Sequence, residues 1–324
     1  MTQSTVSRKN AQKNKIKERK SDDEKTETSP AKNNTDIKYG PLPKFSGQRV
    51  WSRGIVVIGI IIYLWYFSKS PKESVLAKQS ESYNRRGQNV DCGSEYLEDI
   101  KQYQGCIPNK CGRYVSDKIV TSHEADLLLR LANKGMALGG SSGGATILDL
   151  HSGALSLEDK FVNFYEQNKD SKILTASDMA VYQFVRAKIQ SAIADSFAID
   201  SNSIHLTYPT FFSRLSNADP KSRNDEYWHE HIDKRTYESF HYTSLLYLND
   251  YGRDFKGGRF VFTDDISKPT KNTTVEPRKG RVLMFTSGSE NPHFVERVSE
   301  GLRYAITVSF TCDISKAIQD PKLT

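Results

Sequence analysis

Long hydrophobic runs are almost absent from this 324-residue chain: residues 1–50 hold few large apolar side chains, and residues 51–67 form its one strong apolar run. Cysteine is scarce too, at four residues, and all four lie beyond that run. The first absence excludes a polytopic membrane protein, and it excludes a folded N-terminal domain, because residues 1–50 cannot bury enough apolar surface to offset chain entropy. A Gly-Lys-Ser/Thr triplet is missing after the glycine-serine run at 139–144, which removes a nucleotide phosphate cradle and leaves a flexible loop, a lid if it borders a groove. The net charge of +7 comes mainly from the basic N-terminal tail, without a structured basic face or base-stacking aromatics, so nucleic acid is not an expected partner. Anionic lipid headgroups suit such a tail better.

What is present divides the chain into segments. Residues 1–50 read as a disordered basic tail and 51–68 as a transmembrane signal anchor. The uncharged stretch from Gly54 to Phe67 would be about 21 Å long as a helix, short of a hydrocarbon layer of about 30 Å. Val50, Trp51 and a snorkelling Arg53 could make up part of that deficit. A long polar stretch precedes the run and no small-x-small cleavage site follows it, which favours an anchor over a cleaved signal peptide. Basic residues before the run place the tail in the cytosol and the remainder in a lumen or outside the cell, a single-pass type II arrangement. Cys92, Cys106 and Cys111 then mark residues 69–115 as a stapled stalk on an oxidising side. Spacing does not fix the pairing, free thiols remain an alternative, and Cys312 stays open. Asn272-Thr273-Thr274 is a glycosylation sequon in what reads as a polar loop between strands.

Beyond the stalk, residues 116–205 read as a helical region, with apolar residues at helical spacing over 122–134 and 176–194. Residues 206–315 read as a β-rich domain with short strands over 244–248, 259–263, 281–286, 294–298 and 304–311, and 316–324 as a tail. The fold class is therefore mainly β with buttressing helices, an α+β arrangement.

The chemistry-bearing residues lie in the β-rich part. His231 and Asp233 are two apart, so in an extended strand both point the same way and both can reach one ion. His293 follows about sixty residues later in Asn291-Pro292-His293, and Arg303 ten residues after that, on a run where it shares parity with Thr307. Two imidazoles and one carboxylate leave half an octahedron open, where ferrous iron binds a bidentate 2-oxo acid and dioxygen. Arg303 could hold a carboxylate bidentately. Each residue also has an ordinary reading: His-x-Asp alone is a solvated polar pair, and Arg303 alone is a surface or ion-paired arginine. His229 opens a rival reading, in which His229, His231 and His293 hold zinc for hydrolysis and Asp233 only supports them.

The segment from Leu206 to Asp313 resembles the double-stranded β-helix (jelly-roll) domain of the prolyl 4-hydroxylase-like group of iron and 2-oxoglutarate dependent oxygenases. The motifs are Tyr247-Leu248-Asn249, Gly257-Gly258-Arg259-Phe260, Asn291-Pro292-His293 and Arg303-Tyr304-Ala305-Ile306-Thr307, in that order. The resemblance implies His231, Asp233 and His293 as ligands of Fe(2+), and Arg303 as partner of the distal carboxylate of 2-oxoglutarate. Tyr247 and Thr307 are implied as supporting contacts, O2 as the second co-substrate, and room is left for ascorbate. It also implies oxidative decarboxylation of 2-oxoglutarate to succinate, coupled to hydroxylation of a peptidyl, prolyl-like side chain. Two departures touch the substrate side: Glu230 stands where the hypoxia-inducible-factor prolyl hydroxylases carry an arginine, and Ser309 replaces a bulky aromatic. A catalytically silent protein that binds iron and 2-oxoglutarate as a sensor or scaffold, and a zinc hydrolase, are the alternatives.

Overall fold

The computed structural model describes residues 46–68, 72–167, 173–263 and 271–321. Residues 1–45 of the expected basic tail and residues 322–324 lie outside that set. The chain divides into two units, Met1–Tyr63 and Leu64–Thr324. A helix over Gln48–Ser68 carries the apolar run, with side chains exposed almost throughout. By length and composition it is the one helix among the described residues that could cross a membrane.

The rest is built on two apposed sheets, with a separate two-stranded pair formed by Phe255–Gly257 and Val298–Gly301. The larger runs Arg86–Val90, Cys111–Ser116, Val282–Thr286, Tyr242–Tyr247, Arg303–Thr311, Phe211–Leu215, Ala145–Leu148, Ala154–Leu157 and Lys160–Asn163, with His205–Leu206 also paired to Arg303–Thr311. The smaller runs Lys72–Ala77, Lys271–Val275, Phe260–Thr263 and His293–Val295, and an isolated bridge between His231 and His293 extends it. Followed in chain order from Phe211–Leu215 to Arg303–Thr311, the strands visit the large and small sheets as large, small, large, small, small, large, small, large. That winding is a double-stranded β-helix.

Strand alternation separates two cores. Leu245, Tyr247, Leu283, Phe285 and Ala305 point between the sheets and meet Phe260, Phe262 and Val275. Their neighbours Leu246, Met284, Ile306 and Val308 point the other way, into a core shared with Leu128 and Leu131 of helix Ser122–Met136 and with Ile189 and Ile193 of helix Ala176–Phe197. Both helices begin with a capping box, Thr121 with Glu124 and Thr175 with Asp178. They stiffen one wall of the barrel.

Several expectations change. The expected stalk over 69–115 is not separate in its described part, residues 72–115: Lys72–Ala77, Arg86–Val90 and the start of Cys111–Ser116 are strands of the two sheets, since each sheet edge offers unpaired backbone groups that a strand can satisfy. The helical region at 116–205 also supplies three four-residue strands, too short to show a clear period. The strand expected over 294–298 is two strands, His293–Val295 and Val298–Gly301, in different sheets. The break falls at Glu296 and Arg297, whose charges turn away to Arg259 and to the face of Trp228. Asn272 lies inside strand Lys271–Val275, paired on both sides, and Thr274 donates a hydrogen bond to Glu73, so the sequon is not in a loop. The glycine run at 139–144 is tied down: Ser141 donates to Asp225 at 2.6 Å and Gly140 bridges Leu157. All four cysteines are paired, Cys92 with Cys111 and Cys106 with Cys312.

Candidate metal centre and acid pocket

His231 and His293 face each other across a two-way backbone bridge, His231 N donating to His293 O at 2.9 Å and His293 N to His231 O at 3.0 Å. The sequence expectation had His231 and Asp233 on one strand. Only one step of that strand exists: Ile232 is extended, at φ −118° and ψ 122°, and Asp233 then opens the helical turn Asp233–Thr236. One extended residue is enough to send both side chains the same way. The ligand atoms of His231, Asp233 and His293 all lie within 4.8 Å of one another.

Each imidazole is oriented by its backbone. Nδ1 of His231 lies 2.9 Å from the carbonyl oxygen of His229, and Nδ1 of His293 lies 2.9 Å from that of Asn291. Donation from Nδ1–H to those carbonyls leaves each Nε2 with a free lone pair. Both Nε2 atoms sit 3.5 Å from Oδ1 of Asp233. The other oxygen, Oδ2, accepts a hydrogen bond from Thr243 at 2.7 Å. Burial alone would raise the Asp233 pKa, but His293, His231 and Thr243 outweigh it and hold the carboxyl below its ordinary range. Burial pushes His293 down to about 4, so its imidazole is neutral at physiological pH. His231 is the exposed member; Asp233 outweighs its desolvation and raises its pKa. Phe260 stacks on the His293 ring at 4.8 Å, and Phe285 meets it edge-on at 5.0 Å, fixing it from the apolar side.

His229 is not part of the cluster. It is exposed, with Nε2 2.7 Å from Glu226. The three-histidine zinc reading fails on that geometry, because side chains two apart share a face only where the chain stays extended, and His229 turns outward instead.

Arg303 lies on the same inward face as Ala305, in strand Arg303–Thr311, and is 1 % exposed. Among the described residues three arginines are fully buried, and comparing them isolates one. Arg281 forms a two-pronged ion pair with Asp117, at 2.8 and 3.0 Å. Arg113 donates to Asn291 Oδ1 at 2.6 Å and to the Glu290 carbonyl. Arg303 donates through Nε to the Gly258 carbonyl at 2.8 Å, and its Nη2 has no hydrogen-bond partner among the described residues. The Tyr247 hydroxyl beside it is also buried with no hydrogen-bond partner among the described residues, and the guanidinium lies 5.3 Å from the ring centre. Burial lowers the Arg303 pKa and pushes Tyr247 up to about 12, so the phenol keeps its proton. A buried cation and a buried donor without an acceptor are costly, and a carboxylate offsets both. Gly258 makes this close approach possible: its φ is +64°, and a Cβ there would stand 2.9 Å from Arg303 Cδ. Thr307, two pleat steps on, is the one residue of the strand that is not fully buried.

The donor set therefore suits a divalent metal that accepts two nitrogens and an oxygen, with an acid held deeper in the barrel. Thr243 and Arg113 belong to the site's support, and motif reading missed them. Thr243 shares inward parity with Leu245 and Tyr247, which was the available signal; Arg113 lies in a strand that was not recognised.

The profile of the 2OG-Fe(II) oxygenase superfamily matches residues 220–311. A curated relative from Xenopus tropicalis, called 2-oxoglutarate and iron-dependent oxygenase domain-containing protein 3, is 51 % identical over 281 residues, 85 % of this chain and 87 % of its own length. The Homo sapiens protein of the same name is 46 % identical over 286 residues, covering 85 % and 88 %. Prolyl 3-hydroxylase 2 of Homo sapiens is 31 % identical over 136 residues, 37 % of this chain and 19 % of its own length. With 51 % identity over 85 % of its length to one such relative, which is itself covered to 87 %, the chain belongs to the 2OG-Fe(II) oxygenase superfamily, whose members use Fe(2+), 2-oxoglutarate and O2.

Proposed function

We propose that the protein is a membrane-anchored 2-oxoglutarate-dependent dioxygenase that hydroxylates a peptidyl, prolyl-like side chain. The observation that carries this reading is the buried Nη2 of Arg303, without a hydrogen-bond partner among the described residues, beside the Tyr247 hydroxyl inside the barrel that bears the His231, Asp233 and His293 cluster. The partial likeness to a prolyl 3-hydroxylase favours a prolyl substrate.

When bound, ferrous iron with 2-oxoglutarate and O2 supplies decarboxylation to succinate and CO2 and hydroxylation of a C–H bond. The chain's residues supply position. Nε2 of His231, Nε2 of His293 and Oδ1 of Asp233 are the holding atoms, and Thr243 with the two backbone carbonyls fixes their orientation. Arg303 and Tyr247 take the distal carboxylate of 2-oxoglutarate, with Thr307 on the same face. Phe260, Phe262 and Phe285 wall the His293 side against water. The exposed side of His231 is the approach for substrate.

The anchor is helix Gln48–Ser68, whose 21 residues span about 31 Å, close to a hydrocarbon layer of about 30 Å. The two disulfides suit an oxidising lumen or the cell exterior. To test the chemistry, the full-length protein is purified anaerobically in detergent and given ferrous iron and 2-oxoglutarate. A visible metal-to-ligand charge-transfer band and oxygen-dependent succinate are expected, both lost in Asp233→Ala. A band without succinate on any proline-containing peptide library favours the silent sensor instead; absence of the band overturns the site.

A further inference from the structure

Outside the matched region, one segment touches both halves of the metal centre: the loop closed by the Cys92–Cys111 disulfide, which carries helix Ser94–Ile100. On the Asp233 side, Oδ2 of Asp99 accepts from Lys234 Nζ at 2.6 Å and lies 2.8 Å from Nε2 of His241. Lys234 is the residue after Asp233, and its backbone N–H is held by the Ser287 carbonyl at 3.0 Å. Asp99 thus fastens the side chain of the turn that presents the carboxylate. On the His293 side, the Gly93 N–H donates to Glu290 Oε2 at 3.1 Å. Glu290 precedes Asn291, the residue whose carbonyl orients the His293 ring.

The fit at that second contact is close. A Cβ on Gly93 would collide with the Ser289 hydroxyl, and one on Gly288 would stand 2.7 Å from Tyr96 Cβ. Tyr96 also donates to the His241 carbonyl at 3.1 Å, the same carbonyl that accepts from Ser287 N. The helix is anchored near both ends, by Cys92–Cys111 and by Cys106–Cys312. Past Cys111, the strand continues to Arg113, which holds the Asn291 side chain.

We propose that this disulfide-closed segment is a clamp on the metal centre, with Asp99 and Gly93 as positioning residues that set iron affinity through the Asp233 turn and the 288–291 loop. The proposal rests on the reading that His231, Asp233 and His293 hold iron. The clamp meets the strands of Tyr247 and Arg303 at their opposite ends, where Tyr242 donates to the Cys106 carbonyl and Cys312 follows Thr311, so iron binding and 2-oxoglutarate binding separate.

The test uses full-length protein, titrating ferrous iron and 2-oxoglutarate separately under the charge-transfer band. Asp99→Asn raises the iron Kd by about tenfold or more, the range seen when outer partners of metal ligands are removed. The 2-oxoglutarate Kd at saturating iron stays within about twofold, which a general loss of stability would not preserve. Asp99→Glu recovers part of the iron affinity, and Glu98→Gln, an exposed position on the same helix whose carboxylate pairs with Lys101, changes neither constant. Gly93→Ala weakens iron from the opposite side. If Asp99→Asn does not fold by circular dichroism, Gly93→Ala decides alone. Folded variants with unchanged iron affinity, or with both constants worsened together, overturn the clamp. A wild-type protein with no band fails at the earlier step, so the two failures are distinguishable.

Discussion

Of the three buried arginines, Arg281 is satisfied by a carboxylate and Arg113 by amide and carbonyl oxygens, while Arg303 keeps an unpartnered Nη2. In the proposed site, removing the arginine assigned to the acid costs the acid's affinity and leaves the metal ligands in place. Arg303→Ala is therefore expected to raise the 2-oxoglutarate Kd by about a hundredfold, near 2.7 kcal/mol, with iron affinity measured without the acid nearly unchanged. Gly258→Ala tests the same pocket from the backbone: at φ +64° and 2.9 Å from Arg303 Cδ, it is expected to cost about 1–3 kcal/mol of stability in denaturant titration and to weaken the acid. Acid sensitivity of the metal-free protein is also set by single residues. His241, through burial and nearby Lys234, and His293, through burial, each titrate at about 4 when folded, against an ordinary 6.5. Between those values the unfolded chain binds protons that the fold excludes at these two positions, so their contribution to stability is full above about pH 6.5 and is lost as pH drops toward 4. Urea midpoints measured in chelator at pH 7 and pH 4.5 check this, and His241→Asn should flatten the slope.

At the scale of elements, the strands that carry the site were readable because their composition and turns are local. The runs 244–248, 259–263, 281–286 and 304–311 appear as Tyr242–Tyr247, Phe260–Thr263, Val282–Thr286 and Arg303–Thr311, and the two helices extend a few residues past their expected ends. Short strands and the edge strands drawn from the expected stalk were not readable, because their pairing depends on partners up to about two hundred residues away. Disulfide pairing was hidden for the same reason. Cys106–Cys312 closes a separation of 206 residues and Cys92–Cys111 one of 19. Chain entropy assigns them about 5 and about 3 kcal/mol, so replacing Cys106 and Cys312 by serine should lower the unfolding midpoint more than replacing the other pair. A helix core change behaves differently: Ile189→Ala is expected to cost about 2–5 kcal/mol while leaving the iron Kd of the folded protein unaltered.

For the whole molecule, the proposed anchor predicts that the protein stays with membranes through alkaline carbonate extraction and that deletion of 54–67 releases it. Protease added to sealed vesicles should remove the basic tail and spare the barrel; the reverse result refutes the orientation. The sequence by itself determined which side chains could make an iron and acid site, because the His-x-Asp step, the strand parity of Arg303 and the order of the motifs are properties of neighbouring residues. Tertiary structure decided the rest. It excluded His229, showed the Nη2 of buried Arg303 to be left without a hydrogen-bond partner among the described residues, paired the cysteines, and brought the 92–111 segment against the Asp233 turn and the loop that precedes His293. Each of those outcomes depends on contacts between distant parts of the chain, which exist only after the sheets have closed around the site.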